Sequence, residues 1–260
     1  MSKQRLDQLL LARELASNQR EAAALIMRGL IQVDGRTVTK AGTLIPETSH
    51  IKVRDWKERY VSRGGHKLEG ALKILRVDVK DRVCVDLGSS TGGFTDCLLQ
   101  HGARKVYAFD VGRGQLDWRL RNDSRVTLDE DVNVRYLRRE DLPEPIDLFT
   151  VDLSFISLTR ILKALKLFPQ SLFLLLVKPQ FEAERHEVGP GGLILETDLQ
   201  CQIVDRFKKK VLAEGFHVLG ECPSPVKGQR GNQEYFLLLA LKRDAFNNSP
   251  NTRPATGRSL

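Results

Sequence analysis

Short apolar segments alternate with helical stretches from residue 83 to residue 241, and this alternation limits the possible folds more than any other feature. Strands separated by helices imply a mostly parallel sheet with helices on both faces, so we predict an α/β fold with a Rossmann-like sheet of seven strands. The last apolar segment follows a Gly- and Pro-rich connection of hairpin length, and we expect that strand to run antiparallel. The predicted strands are 83–87, 105–111, 126–128, 148–153, 172–178, 217–221 and 234–241, and the predicted helices lie near 67–75, 94–100, 115–121, 158–167 and 198–213.

Residues 1–60 have the pattern of a small, separate α+β module. Leucines at positions 6, 9 and 10 share one face of a predicted helix, and a capping-box motif at 18–21 opens a second. An Asp-Gly turn between two short apolar runs predicts a β-hairpin over 31–38. The polar segment 55–66, with its two adjacent glycines, predicts a linker into a second domain that covers residues 61–243. Residues 244–260 are rich in Asn, Ser, Pro, Thr and Gly, which predicts a disordered tail.

The net charge of the chain is +8 at pH 7, and most of it lies near the amino terminus. Residues 1–73 contain 14 Lys and Arg against 8 Asp and Glu, whereas the remaining 187 residues contain 27 against 25. A basic module on a nearly neutral body is typical of proteins that bind polyanions, most often nucleic acids. The alternative is a basic surface that only meets solvent.

A glycine-rich loop follows the first predicted strand of the second domain, with the pattern Asp86-x-Gly88-x-x-x-Gly92-Gly93. It lacks the Gly-Lys-Ser/Thr of a P-loop and the Gly-x-Gly-x-x-Gly of a dinucleotide site. The glycines let a ligand approach the backbone closely, the following helix N-terminus favours a carboxylate, and Asp86 favours an ammonium group. The methionine part of S-adenosylmethionine carries both groups, and Asp110, after the next strand, could bind ribose hydroxyls. The alternative is a structural glycine turn in another α/β fold.

Four charged residues stand at unusual positions beside buried segments. Asp152 and Lys178 end predicted strands, Glu234 opens the last one, and Lys67 begins the helix before the first. Ligands of open α/β sheets bind beyond the carboxyl ends of the parallel strands, so we expect these side chains to converge on one crevice. Taken singly, each could be a charge at a strand end that meets solvent.

The motifs that carry these residues resemble a known family. They are Val-Ser-Arg-Gly-Gly-His-Lys-Leu at 61–68, the loop at 86–96, Val-Asp-Leu-Ser-Phe-Ile-Ser at 151–157, Val-Lys-Pro-Gln-Phe-Glu at 177–182 and Gly-Asn-Gln-Glu at 231–234. Together they resemble the TlyA family of FtsJ-like methyltransferases, often labelled haemolysin A, which methylate ribose 2′-hydroxyls of ribosomal RNA. The first 35 residues are similar to the RNA-binding domain first seen in ribosomal protein S4.

The resemblance implies a methyltransferase sheet, S-adenosylmethionine as cofactor, ribosomal RNA as partner, and no metal. It implies that the Lys–Asp–Lys–Glu tetrad of the family maps onto Lys67, Asp152, Lys178 and Glu234. Predicted cofactor contacts are Asp86, Gly88, Ser90, Thr91, Gly92, Gly93, Phe94, Asp110, Glu130, Asp131 and Asp152. Predicted RNA contacts are Arg5, Arg13, Arg20, Arg28, Arg36 and Lys40. The family usually has Glu-Arg-Thr-Asn where this chain has Glu-Asp-Val-Asn at 130–133, so either Glu130 or Asp131 is expected near the adenine.

The chemistry of the expected reaction agrees with that mapping. A ribose hydroxyl is a weak acid, so its attack on a sulfonium methyl benefits from positioning and from a base. A lysine accepts a proton only as the neutral amine, which burial and a nearby cation favour. We therefore expect Lys178 to be the general base, oriented by Asp152, with Glu234 holding Lys67.

Two alternatives belong to other functional classes. A ribosome-associated protein could bind RNA without turnover, but the glycine loop and the tetrad are complete. A membrane-active haemolysin would need an export signal, an insertion segment or a barrel-type alternation, and the sequence shows none. The longest apolar runs, 172–177 and 235–241, are far shorter than the ~20 residues of a membrane span. With no signal-peptide core and no Cys-x-x-Cys pair among four cysteines, we expect a soluble cytoplasmic chain.

Overall fold

A computed structural model describes residues 2–27, 29–53, 59–228 and 230–241 of the chain. The chain divides into two compact units, the first ending at residue 58 and the second beginning at residue 59. The predicted tail at 244–260 and part of the predicted linker lie outside the described residues. Within the described residues, no helix is both long and apolar enough to cross a membrane.

The first unit has two short helices and two small antiparallel sheets. Its elements are β1 (Lys3–Arg5), α1 (Leu6–Ala12), α2 (Gln19–Met27), β2 (Ile31–Val33), β3 (Arg36–Val38), β4 (Leu44–Pro46) and β5 (Ile51–Val53). Strand β1 pairs with β4, and β2 lies between β3 and β5. The predicted hairpin is the β2–β3 pair, in which Asp34 and Gly35 have φ angles of 49° and 80°, as a two-residue turn requires. Leu6, Leu10 and Ile26 form its fully buried core with Ile31.

The second unit contains the predicted seven-stranded sheet. Its elements are α3 (Arg63–Leu75), β6 (Val83–Leu87), α4 (Gly93–Gln100), β7 (Lys105–Asp110), α5 (Trp118–Arg121), β8 (Val126–Glu130), β9 (Leu148–Val151), α6 (Leu162–Leu165), β10 (Leu172–Val177), α7 (Pro179–Glu182), α8 (Thr197–Ala213), β11 (Phe216–Pro223) and β12 (Tyr235–Leu241). The strand order is β11-β12-β10-β9-β6-β7-β8. Strand β12 runs antiparallel to both neighbours, whereas β8, β7, β6, β9 and β10 are mutually parallel. The predicted fold class and the antiparallel last strand are thus confirmed.

Both faces of the sheet are buried, as its apolar runs require. In β6, Val83, Val85 and Leu87 pack into a core with α6 and α8, while Cys84 faces a second core formed with α3 and α4. Because successive side chains of a strand point to opposite faces, one continuous apolar segment supplies both cores.

The predicted linker is partly wrong, since α3 begins at Arg63 and includes both Gly64 and Gly65. The Ser62 hydroxyl accepts a hydrogen bond from Gly64 N and caps this helix. Gly65 is required by packing rather than by a turn, because a Cβ there would overlap the Tyr60 ring. Tyr60 is itself buried in a core of the second unit, so the folded second unit includes residues before position 61.

Two other predicted helices are shorter than expected. The helix predicted at 115–121 begins at Trp118, because the Asp117 carboxylate caps it by accepting from Arg119 N at 2.9 Å. The one predicted at 158–167 opens with a 3₁₀ turn, Leu158–Ile161, before the single α-helical turn of α6.

Candidate active site

The register of the sheet brings the predicted charged residues to one edge. Leu87 pairs with Val151, so Gly88 and Asp152 leave their strands side by side. Val177 pairs with Tyr235 of the antiparallel strand, so Lys178 and Glu234 leave the sheet at this same edge. The parallel strands end here, where open α/β sheets bind their ligands.

The loop after β6 lies tightly against its neighbours. Gly88 N and Ser89 N both donate to Phe109 O, at 2.8 and 3.1 Å, which holds the loop to the end of β7. Gly88 has a φ of 87°, and a Cβ there would lie 2.5 Å from Asp152 O. Both the left-handed backbone and this close approach require glycine.

Asp86 lies beneath the glycine-rich loop, at the end of β6. Its carboxylate is fully buried and accepts hydrogen bonds from the Thr95 hydroxyl at 2.7 Å and the Thr150 hydroxyl at 3.2 Å. Burial raises the pKa of Asp86 to about 7, which the Thr95 hydrogen bond partly opposes. Asp86 therefore supports the loop from below, and its contact with an ammonium group stays a prediction.

The start of α4 offers free polar groups to a ligand. Gly92 stands at the N-cap position with a φ of 97°, and no described side chain caps the helix. The Ser89 hydroxyl is buried without a hydrogen-bond partner among the described residues. Unpaired backbone N–H groups and a buried hydroxyl fit an anionic or polar ligand group.

A cavity of about 710 Å³ opens over this edge of the sheet, within the usual range for small-molecule sites. Residues of the start of α3, of the loop after β6 and of the segments around Asp152, Lys178 and Glu234 line it. All four predicted tetrad residues line the cavity, together with Gly88, Ser90, Thr91, Gly93 and Phe94.

Lys67 and Glu234 form an almost fully buried ion pair. Lys67 Nζ donates to Glu234 Oε2 at 2.6 Å, and the side chains are 10% and 3% exposed. A Cβ at Gly228 would lie 2.5 Å from Glu234 Oε1, so this carboxylate is also closely packed. The pair is the one that the sequence analysis expected.

Lys178 faces Asp152, again as expected, but its directed hydrogen bond goes elsewhere. Its Nζ lies 2.5 Å from Asp152 Oδ1 and donates to the Ser154 hydroxyl at 2.8 Å. Asp152 Oδ1 receives no well-aligned hydrogen bond from the described residues, so the lysine contact is an ion pair rather than a directed bond. The Asp152 side chain is 22% exposed and can therefore meet a ligand.

Besides Asp86, three predicted acidic contacts do not line this cavity. Asp110 accepts from Ser90 N and from Gly112 N, both at 2.7 Å, and so supports the glycine loop from the end of β7. Glu130 accepts from Gly114 N at 2.8 Å and pairs with Arg121, whereas Asp131 pairs with Arg113. Both are tied to neighbouring segments, and the choice between them for adenine stays open as a prediction.

Several residues that line the cavity were not predicted from the sequence. The motif containing Asp152 also supplies Ser154 and Phe155, and Phe155 is 84% exposed with a φ of 66°. A phenylalanine shortly after a strand end was visible in the sequence, but its exposure and its left-handed backbone were not. The other cavity residues not selected are Ser62, Arg63, Gly64, Ser89, Gln180, Phe181, Val188, Gly192, Gly228, Arg230 and Asn232.

The predicted RNA contacts in the first unit differ in their exposure and in their hydrogen bonds. Arg20, Arg36 and Lys40 are exposed. Arg13 is instead structural, because it donates to the carbonyl oxygens of Ser49, at 2.9 Å, and Glu47. Arg5 donates to the buried carboxylate of Asp7, at 2.6 and 3.0 Å, although its side chain stays half exposed. Arg28 lies outside the described residues.

Two protein-family models match the chain, one in each of its two units. Residues 4–51 match the model of the S4 domain, and residues 60–241 match that of the FtsJ-like methyltransferases. The chain belongs to the FtsJ-like methyltransferase family. Its predicted resemblance to that family and to the S4 domain is confirmed. Among the described residues, no group of three or more His, Cys, Asp or Glu side chains could hold a metal ion.

Similar proteins cover nearly the whole chain. The 16S/23S rRNA (cytidine-2′-O)-methyltransferase TlyA of Mycobacterium tuberculosis is 41% identical over 259 residues, which cover 98% of this chain and 97% of that protein. Hemolysin A of Brachyspira hyodysenteriae is 41% identical over 240 residues, covering 91% of this chain and all of that one. A solved structure, "Putative hemolysin from Streptococcus thermophilus", has a TM-score of 0.71 at 39% identity and covers 93% and 89% of the two chains.

Proposed function

We propose that this protein transfers a methyl group from S-adenosylmethionine to a ribose 2′-hydroxyl of ribosomal RNA. The observation that carries the proposal is the pair of lysine–carboxylate contacts, Lys67–Glu234 and Lys178–Asp152, facing a glycine loop in one cavity. The named activity of the tuberculosis relative, at 41% identity over almost the full chain, supports the same substrate class. An rRNA substrate would place the enzyme in the cytoplasm.

The cofactor supplies a methyl group on a positively charged sulfur. The residues present suit it, since the uncapped start of α4 and the unpaired Ser89 hydroxyl fit its carboxylate. With Asp86 buried beneath the loop and Glu234 paired with Lys67, Asp152 is the more exposed carboxylate of the cavity and the one we assign to its ammonium group. Gly88 and Gly93 line the same wall, where the backbone itself would contact the ligand.

Lys178 is the residue we propose to accept the proton of the ribose hydroxyl. Ser154 and Asp152 hold its amine beyond the carboxyl end of β10, and only 9% of its side chain is exposed. A neutral lysine can accept a proton, whereas a guanidinium in the same place cannot. Lys67 is fixed by Glu234 in the wall of the same cavity.

The first unit is proposed to bind the RNA. It matches the S4 domain and carries exposed basic residues at positions 20, 36 and 40. Phosphate contacts by such residues orient a protein on RNA, and the reaction itself would take place in the second unit.

Separate measurements of cofactor binding and methyl transfer test this proposal. We expect Lys178→Ala to bind the cofactor with unchanged affinity in calorimetry but to lose transfer to rRNA, and Lys178→Arg to fail equally. Lys163→Ala, at an exposed lysine outside the cavity, is the matched control and should stay active. An active Lys178→Arg variant would refute the general-base role. A wild-type protein that binds rRNA but not the cofactor would instead favour the RNA-binding protein without turnover.

A further inference from the structure

Glu182 is a partly buried carboxylate that the proposed reaction does not use. It ends α7, the short helix that begins directly after Lys178. Its Oε1 accepts from Leu158 N, and its Oε2 accepts from the Ser157 hydroxyl, both at 2.6 Å. Burial raises the pKa of this carboxyl, while the two hydrogen bonds act in the opposite direction. A partly buried carboxylate with two short hydrogen bonds is held in one position, and it holds the groups that donate to it.

The segment that Glu182 holds is the loop after β9, residues 152–158. It carries Ser154, whose hydroxyl accepts from Lys178 Nζ, and Phe155, whose φ is 66°. A bulky residue in the left-handed region is unfavourable, and it persists only where the surrounding structure fixes it. The loop therefore needs an anchor if its hydroxyl is to keep one position.

The loop and the segment 178–182 meet at three successive points. Lys178 contacts Asp152 and Ser154, the rings of Phe155 and Phe181 lie 5.3 Å apart between centroids, and Glu182 holds Ser157 and Leu158. Glu182 is the point most distant along the chain from the lysine, and it is the one with hydrogen bonds to both the backbone and a side chain.

We propose that Glu182 is a positioning residue, which holds the loop after β9 so that the Ser154 hydroxyl fixes the amine of Lys178. This inference rests on the proposed function, because it assigns the lysine to the reaction. Glu182 touches neither the cavity nor the reacting atoms; it acts through Ser154.

A double-mutant cycle tests the proposal on the full chain, with methyl transfer to rRNA as the assay. Misplacement of a reacting group by about 1 Å can cost on the order of 100-fold, so we expect Glu182→Ala and Ser154→Ala each to lower kcat by about 10- to 100-fold. If both act through the same amine, the double variant should be no slower than the slower single variant. Cofactor affinity in calorimetry and the KM for rRNA should change by less than about threefold.

Two further variants separate positioning from general destabilisation. Glu182→Gln can keep both contacts, because the Ser157 hydroxyl can rotate to accept from the amide, and it should restore most of the activity. Ser157→Ala removes the hydroxyl's hydrogen bond to Glu182, together with its contacts to Thr159, but leaves the bond from Leu158 N. It should give an intermediate kcat, which keeps the test informative if Glu182→Ala does not fold. Glu184→Ala, at an exposed glutamate two residues beyond the segment 178–182, is the control and should resemble the wild type.

The outcomes that overturn the inference differ from those that overturn the proposed function. A Glu182→Ala or Ser154→Ala variant with wild-type kcat would refute it, as would losses that multiply in the double variant. If the wild-type protein itself transfers no methyl group, the proposed function fails instead.

Discussion

The buried ion pair between Lys67 and Glu234 allows a prediction of stability with a definite magnitude. Two unit charges 2.6 Å apart attract with ~6 kcal/mol at an effective dielectric constant of about 20, and the cost of desolvating both offsets much of this. Replacing Glu234 by Gln removes the attraction but leaves the lysine charge buried. Breaking such a pair from one side costs about 3–5 kcal/mol, and we expect the lower end because the amide oxygen can still accept from the lysine.

The assay is thermal unfolding of the full chain by calorimetry. For a domain of this size, about 3 kcal/mol lowers Tm by roughly 6–12 °C. The double variant Lys67→Met/Glu234→Gln should recover part of the loss, at least ~1 kcal/mol relative to the sum of the single changes, because no unpaired charge stays buried. Glu221→Gln is the matched control, since its pair with Lys208 is half exposed and should contribute less than about 1 kcal/mol.

A Glu234→Gln variant that melts within 1–2 °C of the wild type, a change equivalent to less than ~1 kcal/mol, would contradict this prediction. Strict additivity of the two single variants would also contradict it. In either case the charges of Lys67 and Glu234 would not stabilise each other as their 2.6 Å contact indicates.

Three further predictions concern the other parts of the molecule. Because the pKa of Asp86 rises from about 3.8 to about 7 on folding, its stabilising contribution is complete below pH 4 and is lost as pH rises through 7. The Tm of Asp86→Asn relative to wild type should therefore increase between pH 5 and pH 8, and a constant difference would contradict this. Removing residues 1–58 should leave cofactor binding intact but weaken rRNA binding, and binding by the full chain should fall as salt rises; equal binding by both proteins would require another role for the S4 domain. Gly88→Val should abolish cofactor binding in calorimetry, because its Cβ would meet Asp152 O at 2.5 Å, and unchanged affinity would remove the loop from the site.

The sheet could be predicted from the sequence because its signal is local and repeated. Each strand is a short apolar run. The connection before β12 is of hairpin length and contains no helix, which indicated that β12 runs antiparallel. The error at the predicted linker has its physical cause in side-chain packing. Gly64 and Gly65 suggested a break in the chain, yet both lie in α3, and position 65 needs glycine because the Tyr60 ring occupies the space of a side chain.

The site was predictable where function depends on a residue's place at a strand end. Lys178 and Glu234 could be expected at one edge because the strand directions put them there. The hydrogen bonds of Asp86 could not be predicted, because its partners, Thr95 and Thr150, come from a helix and a strand that the motif does not specify. Ser154 as the hydrogen-bond partner of Lys178, and Glu182 as the anchor of its loop, depend on the conformation of a loop, which no periodic pattern records.

The central claim is the transfer of a methyl group to a ribose hydroxyl of rRNA. Its most direct test is to incubate unmodified ribosomal subunits with the protein and isotopically labelled S-adenosylmethionine, digest the rRNA to nucleosides and identify the labelled product by mass spectrometry. The proposed function requires label on the ribose of a 2′-O-methylnucleoside, with none after incubation with Lys178→Ala. Label on a base, or no label above the Lys178→Ala background, would contradict it.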